Sequence, residues 1–177
     1  MSCRGEGTKK VFLLLFFLLH GVYAFPAIAE TEAVFSPESS IKEVILHEIG
    51  SATSTLEIAL NGMTSPDMAR ALGEAKQRGV KVRVIADSKQ SKSKLSQITF
   101  LIQKGVVVKV LGGIGRGSMN YRFAVFDGKK VMVGSYDWSE SSEKGSYENI
   151  LFLEGSEAVA PYQKEFERLW REKKIVK

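Results

Sequence analysis

Asn120-Tyr121-Arg122-Phe123-Ala124-Val125-Phe126-Asp127-Gly128-Lys129-Lys130-Val131-Met132-Val133-Gly134-Ser135-Tyr136-Asp137-Trp138 is the most informative stretch of the chain. Residues 123–126 and 131–133 are apolar runs on either side of a segment that opens with Asp127-Gly128. Asp-Gly readily adopts the positive φ angles of a two-residue turn, so the stretch predicts a β-hairpin. Asn120, Arg122, Asp127, Ser135 and Asp137 cluster around that hairpin and supply an amide, a cation, two carboxylates and a hydroxyl.

Toward the N-terminus the pattern changes to alternating strands and helices. Residues 33–35 form a short apolar strand before Ser36-Pro37, and Ile41, Val44, Ile45 and Ile49 recur at helical spacing after the possible caps Ser39 and Ser40. Leu56, Ile58 and Leu60 alternate with Thr55, Glu57 and Ala59, which predicts a half-buried strand. Ser65-Pro66-Asp67 opens a helix with the stripe Met68, Ala71, Leu72 and Ala75, and Gly79 ends it. A strand ending at Asp87, a helix with Leu95, Ile98 and Ile102 on one side, and a strand at residues 106–110 follow. This β-α-β-α-β-α-β order predicts an α/β domain, a mixed, mainly parallel sheet flanked by helices. A loop with Gly112, Gly113, Gly115 and Gly117 precedes the hairpin. A further strand at 147–153 and a helix with Val159, Tyr162, Phe166, Leu169 and Trp170 on one stripe complete the chain.

The 177 residues are 44% apolar and 25% charged, which fits one globular domain and excludes a disordered chain. The single Cys3 excludes a disulfide framework and a multi-cysteine zinc site, and two histidines argue against a His-rich metal site. Arg4, Lys9 and Lys10 precede the apolar run 11–19, and Ala27-Ile28-Ala29 follows with small residues at a cleavage site. This predicts a signal peptide over residues 1–29, with Ala24 as an earlier alternative site, and a single domain over 30–177. The other reading is a membrane anchor over residues 11–29, which would bring the chain into membrane contact. The expected location is exported, periplasmic or secreted. Cleavage would lower the net charge from +5 to +3, too small an excess to argue for nucleic acid alone, and would leave His47 as the only histidine.

The hairpin segment resembles the phospholipase D superfamily, whose motif is H-x-K-x4-D followed by G-S-x-N. Here the pattern is N-x-R-x4-D, followed by Gly134-Ser135-Tyr136-Asp137. Val34-Phe35-Ser36-Pro37, Thr64-Ser65-Pro66 and Ser146-Tyr147-Glu148-Asn149 look like the small bacterial endonuclease branch, so the resemblance covers nearly all of residues 33–170. It implies the phospholipase D-like fold, a phosphodiester substrate (nucleic acid or phospholipid), and neither metal nor cofactor. It also implies a single motif per chain, completed at a two-fold dimer interface. The expected assembly is a homodimer, with a hetero-dimer beside an active relative as the other arrangement.

Carried over position by position, the resemblance makes Asn120, Arg122 and Asp127 the catalytic-motif positions, and Arg122, Ser135, Asp137 and Glu148 the phosphate-binding positions. Arg122 replaces a lysine, keeps the charge and adds bidentate reach to phosphate. Asp127 would support the nucleophile. Asp137 replaces an asparagine and brings negative charge to the expected phosphate. Asn120 replaces the histidine nucleophile, and a neutral amide has no basic nitrogen with which to attack phosphorus or protonate a leaving oxygen. His47, the remaining histidine, falls mid-helix.

The expectation is a degenerate site that binds phosphodiesters without the family's phosphohistidine chemistry. The alternatives are an active endonuclease or phospholipase D-type hydrolase with a modified mechanism, and a structural protein whose old site is packing. Lys89, Lys92 and Lys94, with Arg116, are either a solvated loop or a phosphate track. Gly115–Ser118 lacks the order and spacing of a P-loop. Tyr136 and Trp138 either stack on bases or pack behind the motif. Lys173, Lys174 and Lys177 read as a frayed helix end.

Overall fold

The computed structural model describes residues 31–172. The leader at 1–29, with Cys3 and His20, and the basic end at Lys173, Lys174 and Lys177 lie outside the described residues. After β1 (Thr31–Phe35), Ser40 caps α1 (Ile41–Ser51) by accepting the Glu43 N–H at 3.4 Å. Ile41, Ile45 and Ile49 form the buried side of α1, and His47 is exposed. β2 (Thr55–Leu60) leads to α2 (Pro66–Gln77), then β3 (Lys81–Asp87), α3 (Ile98–Gln103) and β4 (Val107–Leu111). The hairpin joins β5 (Arg122–Phe126) to β6 (Lys130–Gly134) through residues 127–129, with Phe126 paired to Lys130, the Lys129 N–H donating to the Phe126 carbonyl at 3.0 Å, and φ 52° at Asp127 and 65° at Gly128, the positive angles of a primed turn. A short α4 (Glu140–Gly145), β7 (Asn149–Glu154) and α5 (Ser156–Arg171) follow.

The strands form one seven-stranded sheet in the order β1-β7-β6-β5-β2-β3-β4. On one face, α1, α2 and α3 cover Leu56, Ile58, Leu60, Val82, Val84, Ala124, Phe126, Met132, Ile150 and Phe152. On the other, α5 covers Ala59, Ile85, Phe123, Val125 and Val131 with Val159, Phe166 and Leu169. On that second face Arg83 lies over the Phe166 and Trp170 rings, at 5.0 and 5.1 Å, and pairs with Glu57 and Glu167. This pairing lets a charged Glu57 sit in a central strand.

The expected α/β sheet flanked by helices is present, with a narrower parallel part than the element order implied. Only β2–β3 and β3–β4 are parallel; the other four neighbouring pairs are antiparallel. The reason is β1, which crosses to the far edge and pairs antiparallel with β7, so the first helix is not a crossover between parallel neighbours. Residues 56–60 are all buried because both faces of β2 are covered, where alternation had predicted half-burial. Leu95 lies before α3 and is 70% exposed, and Ile102 is 56% exposed; Ile98 and Leu101 form the buried side. The last strand begins at Asn149, leaving Tyr147 91% exposed. Ser65 occupies the α2 cap position without a side-chain capping bond. The serine-rich α4 was not anticipated, since it buries only Ser142 and so has no apolar period.

Candidate active site

Asp87, Asn120, Arg122, Ser135, Asp137 and Glu148 gather at one end of the sheet because of strand direction. Leu60 at the end of β2 pairs with Arg122 at the start of β5, and β3 runs parallel to β2, so Asp87 ends at the same edge. Phe123 pairs with Val133, which brings the end of β6 beside Arg122. Phe35 pairs with Asn149, so β1 ends and β7 begins there too. Loops beyond the carboxyl ends of strands are where open α/β sheets bind ligands.

Arg122 and Asp137 meet at this edge. Arg122 Nη2 donates to Asp137 Oδ2 at 2.9 Å, with both side chains about three-quarters buried. The Gly62 N–H donates to the other carboxylate oxygen at 3.4 Å, a long contact. Asp137 therefore sits where an external anion would meet the guanidinium. Arg122 Nε is buried and has no hydrogen-bond partner among the described residues. Asn120 stands two residues before Arg122 and is exposed.

Ser135 and Glu148 form the second pair. The Ser135 hydroxyl donates to Glu148 and accepts the Asn149 N–H at 3.2 Å. Glu148 is held from behind, its backbone N–H donating to Ser36 Oγ at 2.9 Å. Glycine at 134 is a packing requirement: a Cβ there would lie 2.2 Å from the Asn149 carbonyl oxygen. Both predicted phosphate-binding donors are thus engaged by carboxylates of the chain itself.

Asp127 does not join them. It lies at the other end of β5, about 16 Å from Arg122 by the rise of a strand. Its carboxylate accepts the backbone N–H groups of Thr53, Ser54 and Thr55, the last two at 2.8 and 2.9 Å, and the hydroxyls of Thr53 and Ser54. Burial raises its pKa, and the hydrogen bonds from Thr53, Thr55 and Ser54 more than reverse this, holding the carboxyl well below the usual range. The expected support of a nucleophile is replaced by a clamp on the chain entering β2.

Asp87, which the sequence marks only as a strand end, is a site-building residue. Fully buried, it accepts the N–H groups of Lys89, Gln90 and Met119 at 2.9, 3.0 and 2.8 Å. Asn61 Nδ2 donates to the Met119 carbonyl at 3.0 Å. Together they fix the backbone just before Asn120. The only earlier signal was an acid followed by a turn-rich Ser-Lys segment.

Tyr136 and Trp138 are packing residues, 1% and 2% exposed, which removes them as base-stacking platforms. Tyr136 donates to Glu143 at 2.8 Å; burial first, and this hydrogen bond second, push its phenol up. His47, on the outer side of α1, does not join the cluster. Among the described residues no group of three His, Cys, Asp or Glu side chains is placed to hold a metal ion.

Residues 45–170 match the protein family described as "Cardiolipin synthase, PLD-like domain". The mitochondrial cardiolipin hydrolases of Mus musculus and Xenopus laevis are 36% and 38% identical over 135 residues, covering 76% of this chain. The chain spans 60% and 63% of those relatives' lengths. Among solved structures, Nuc of Salmonella typhimurium aligns with a TM-score of 0.74 and 20% identity, covering 81% of this chain and 95% of that one. NucT from Helicobacter pylori aligns with a TM-score of 0.74 and 26% identity, covering 80% and 95%.

Proposed function

The chain belongs to the phospholipase D-like family, and from that membership we propose that it is an exported domain that binds phosphodiester groups without the family's phosphohistidine hydrolysis. The observation that carries this reading is the exposed amide of Asn120 beside an Arg122 guanidinium already engaged by Asp137. The amide supplies neither nucleophile nor acid. The guanidinium keeps its charge, so an external phosphate competes with Asp137 for it and binding is weak but charge-driven.

In the proposed homodimer both copies would carry Asn120, and both roles would be missing together. Beside an active relative, the same chain would contribute Arg122 to a site whose histidine comes from the partner. Phe35 and Tyr147, 55% and 91% exposed next to Glu148, are the apolar side chains such an interface would cover. The N-terminal segment 1–29 directs export or anchors the chain in the membrane.

A second reading, hydrolysis by a modified mechanism, draws on the names of the relatives, which are hydrolases. A binding titration tests the first. A fluorescent single-stranded oligonucleotide and a short-chain phosphatidylglycerol are titrated with the full chain at rising salt. The reading expects saturable binding that weakens with salt and is lost in Arg122→Ala. Binding unchanged in Arg122→Ala would overturn it.

A further inference from the structure

The loops leaving β3 and β4 form a corner beside the site whose chemistry the site does not use. Between Asp87 and Ile98, and between Leu111 and Asn120, the sequence carries Lys89, Lys92, Lys94 and Arg116 and no acidic residue. All four are exposed, and none is ion-paired with a described residue, whereas Lys42, Arg70, Arg83, Arg122, Lys130 and Lys144 are.

The corner is built from hydrogen-bonded turns. Lys89 Nζ donates to the Arg116 carbonyl at 2.7 Å, and the Ser88 N–H donates to the Leu111 carbonyl at 2.7 Å, tying the loops together. The Gly113 N–H bonds the Gly117 carbonyl at 3.2 Å, and the Gly117 N–H returns to the Ile114 carbonyl at 3.0 Å. A Cβ at Gly113 would lie 2.5 Å from the Ser118 carbonyl oxygen, so the turn is closed tightly and Ile114 is left at its tip. Ile114 is fully exposed and Leu95 is 70% exposed, in a turn where the Ser96 N–H bonds the Ser93 carbonyl.

Two aliphatic side chains are thus held in water on ordered turns among four cations. A nucleic-acid backbone would satisfy the cations and offer nothing to Ile114 or Leu95. An anionic bilayer offers phosphates to the cations and the acyl boundary to the aliphatic tips. We propose that this corner docks on an anionic phospholipid surface, with Ile114 and Leu95 below the headgroups and Lys89, Lys92, Lys94 and Arg116 among them. Docking holds the Arg122 end of the sheet against the headgroup layer. The proposal deepens the phosphodiester reading by choosing a lipid surface.

The test uses the full chain with Cys3→Ser and Ile114→Cys, labelled with an environment-sensitive fluorophore. A second chain labelled at Lys129→Cys, in the hairpin at the other end of the sheet, serves as reference. Phosphatidylglycerol vesicles are expected to blue-shift the label at 114 and leave that at 129 unchanged; phosphatidylcholine vesicles are expected to shift neither. Lys92→Gln with Lys94→Gln is expected to raise the vesicle concentration for half-maximal shift about thirtyfold.

A label at 114 that stays in water while the N-terminal segment holds the chain on the vesicle would overturn the proposal. So would an equal shift on neutral vesicles, a shift produced by single-stranded DNA alone, or one that needs no vesicle and grows with protein concentration. Oligonucleotide binding by the same chain reads the Arg122 site separately. Its loss with the shift intact sinks the phosphodiester reading and leaves docking standing.

Discussion

The two ends of β5 carry charged side chains of one motif and hold them in opposite ways. At the hairpin end, Asp127 is fixed by three backbone N–H groups and two hydroxyls from residues 53–55. At the other end, Arg122 is held by a side chain, Asp137, and keeps a buried Nε without a described partner next to an exposed Asn120. Backbone donors are always present, so three of the five hydrogen bonds at the Asp127 end depend on that one carboxylate alone, and the Thr53 and Ser54 hydroxyls add two more. Side-chain partners change with single substitutions, so the Arg122 end can exchange its reactive groups while the sheet persists. Asp127 therefore serves the fold, and the polar side chains gathered at the other end are Asn120, Arg122, Ser135, Asp137 and Glu148.

The largest expected contrast is in stability. Asp127→Ala strips the clamp from the chain entering β2 and is expected to cost about 3 kcal/mol, a fall in Tm of roughly 10 °C. Asp127→Asn should cost less, because asparagine accepts hydrogen bonds and tolerates the positive φ of this turn. Arg122→Ala removes one charge-assisted hydrogen bond in place of five and should cost less, about 1.5 kcal/mol. Equal losses at both ends in thermal unfolding would show that Asp127 and Arg122 are held alike.

Acid titration sharpens it. The folded pKa of Asp127 is depressed, so its contribution is complete above the unfolded carboxylate value of about 3.9. That contribution is lost as pH falls from there toward the folded value. Between about pH 4 and pH 2, stability by urea unfolding should fall more steeply in the wild type than in Asp127→Asn. Parallel acid limbs would show that the Asp127 carboxylate does not carry the acid sensitivity of the fold.

At the other end the effect is on binding. Asp137→Asn removes the internal counter-ion of Arg122 and is expected to tighten phosphodiester binding about tenfold, with a steeper salt dependence. Unchanged affinity would mean that Asp137 does not compete with the ligand. The smallest effect belongs to His47: His47→Ala should leave binding, and any turnover, within about twofold, because the side chain projects from the outer side of α1.

Much of the fold was legible where its cause is local. The period of Ile41, Ile45 and Ile49, the Pro66 helix start and the Asp127-Gly128 turn all act within a few residues, and each stands where the pattern put it. Pairing was less legible: nothing in residues 31–35 says that they meet β7 rather than β2. Leu95 fits a helical period by spacing, and the period carries no information about whether anything covers it. At the site, the negative charge brought by Asp137 could be anticipated from its place in the motif, and its seat on Arg122 depends on how the segment after β6 turns back. The role of Asp127 was hidden because its partners lie some seventy residues earlier and three of the five are backbone N–H groups, which leave no mark in a sequence. The same holds for buried Asp87, whose acceptor role links two loops.

The most direct test of the central claim is hydrolysis of a generic phosphodiester and of single-stranded DNA by the purified chain, with EDTA present and Arg122→Ala prepared identically. No turnover is expected in either preparation, alongside Arg122-dependent, salt-sensitive binding in the wild type. Turnover by the wild type that Arg122→Ala lacks would contradict that claim and would mean that a group other than a motif histidine carries out the chemistry.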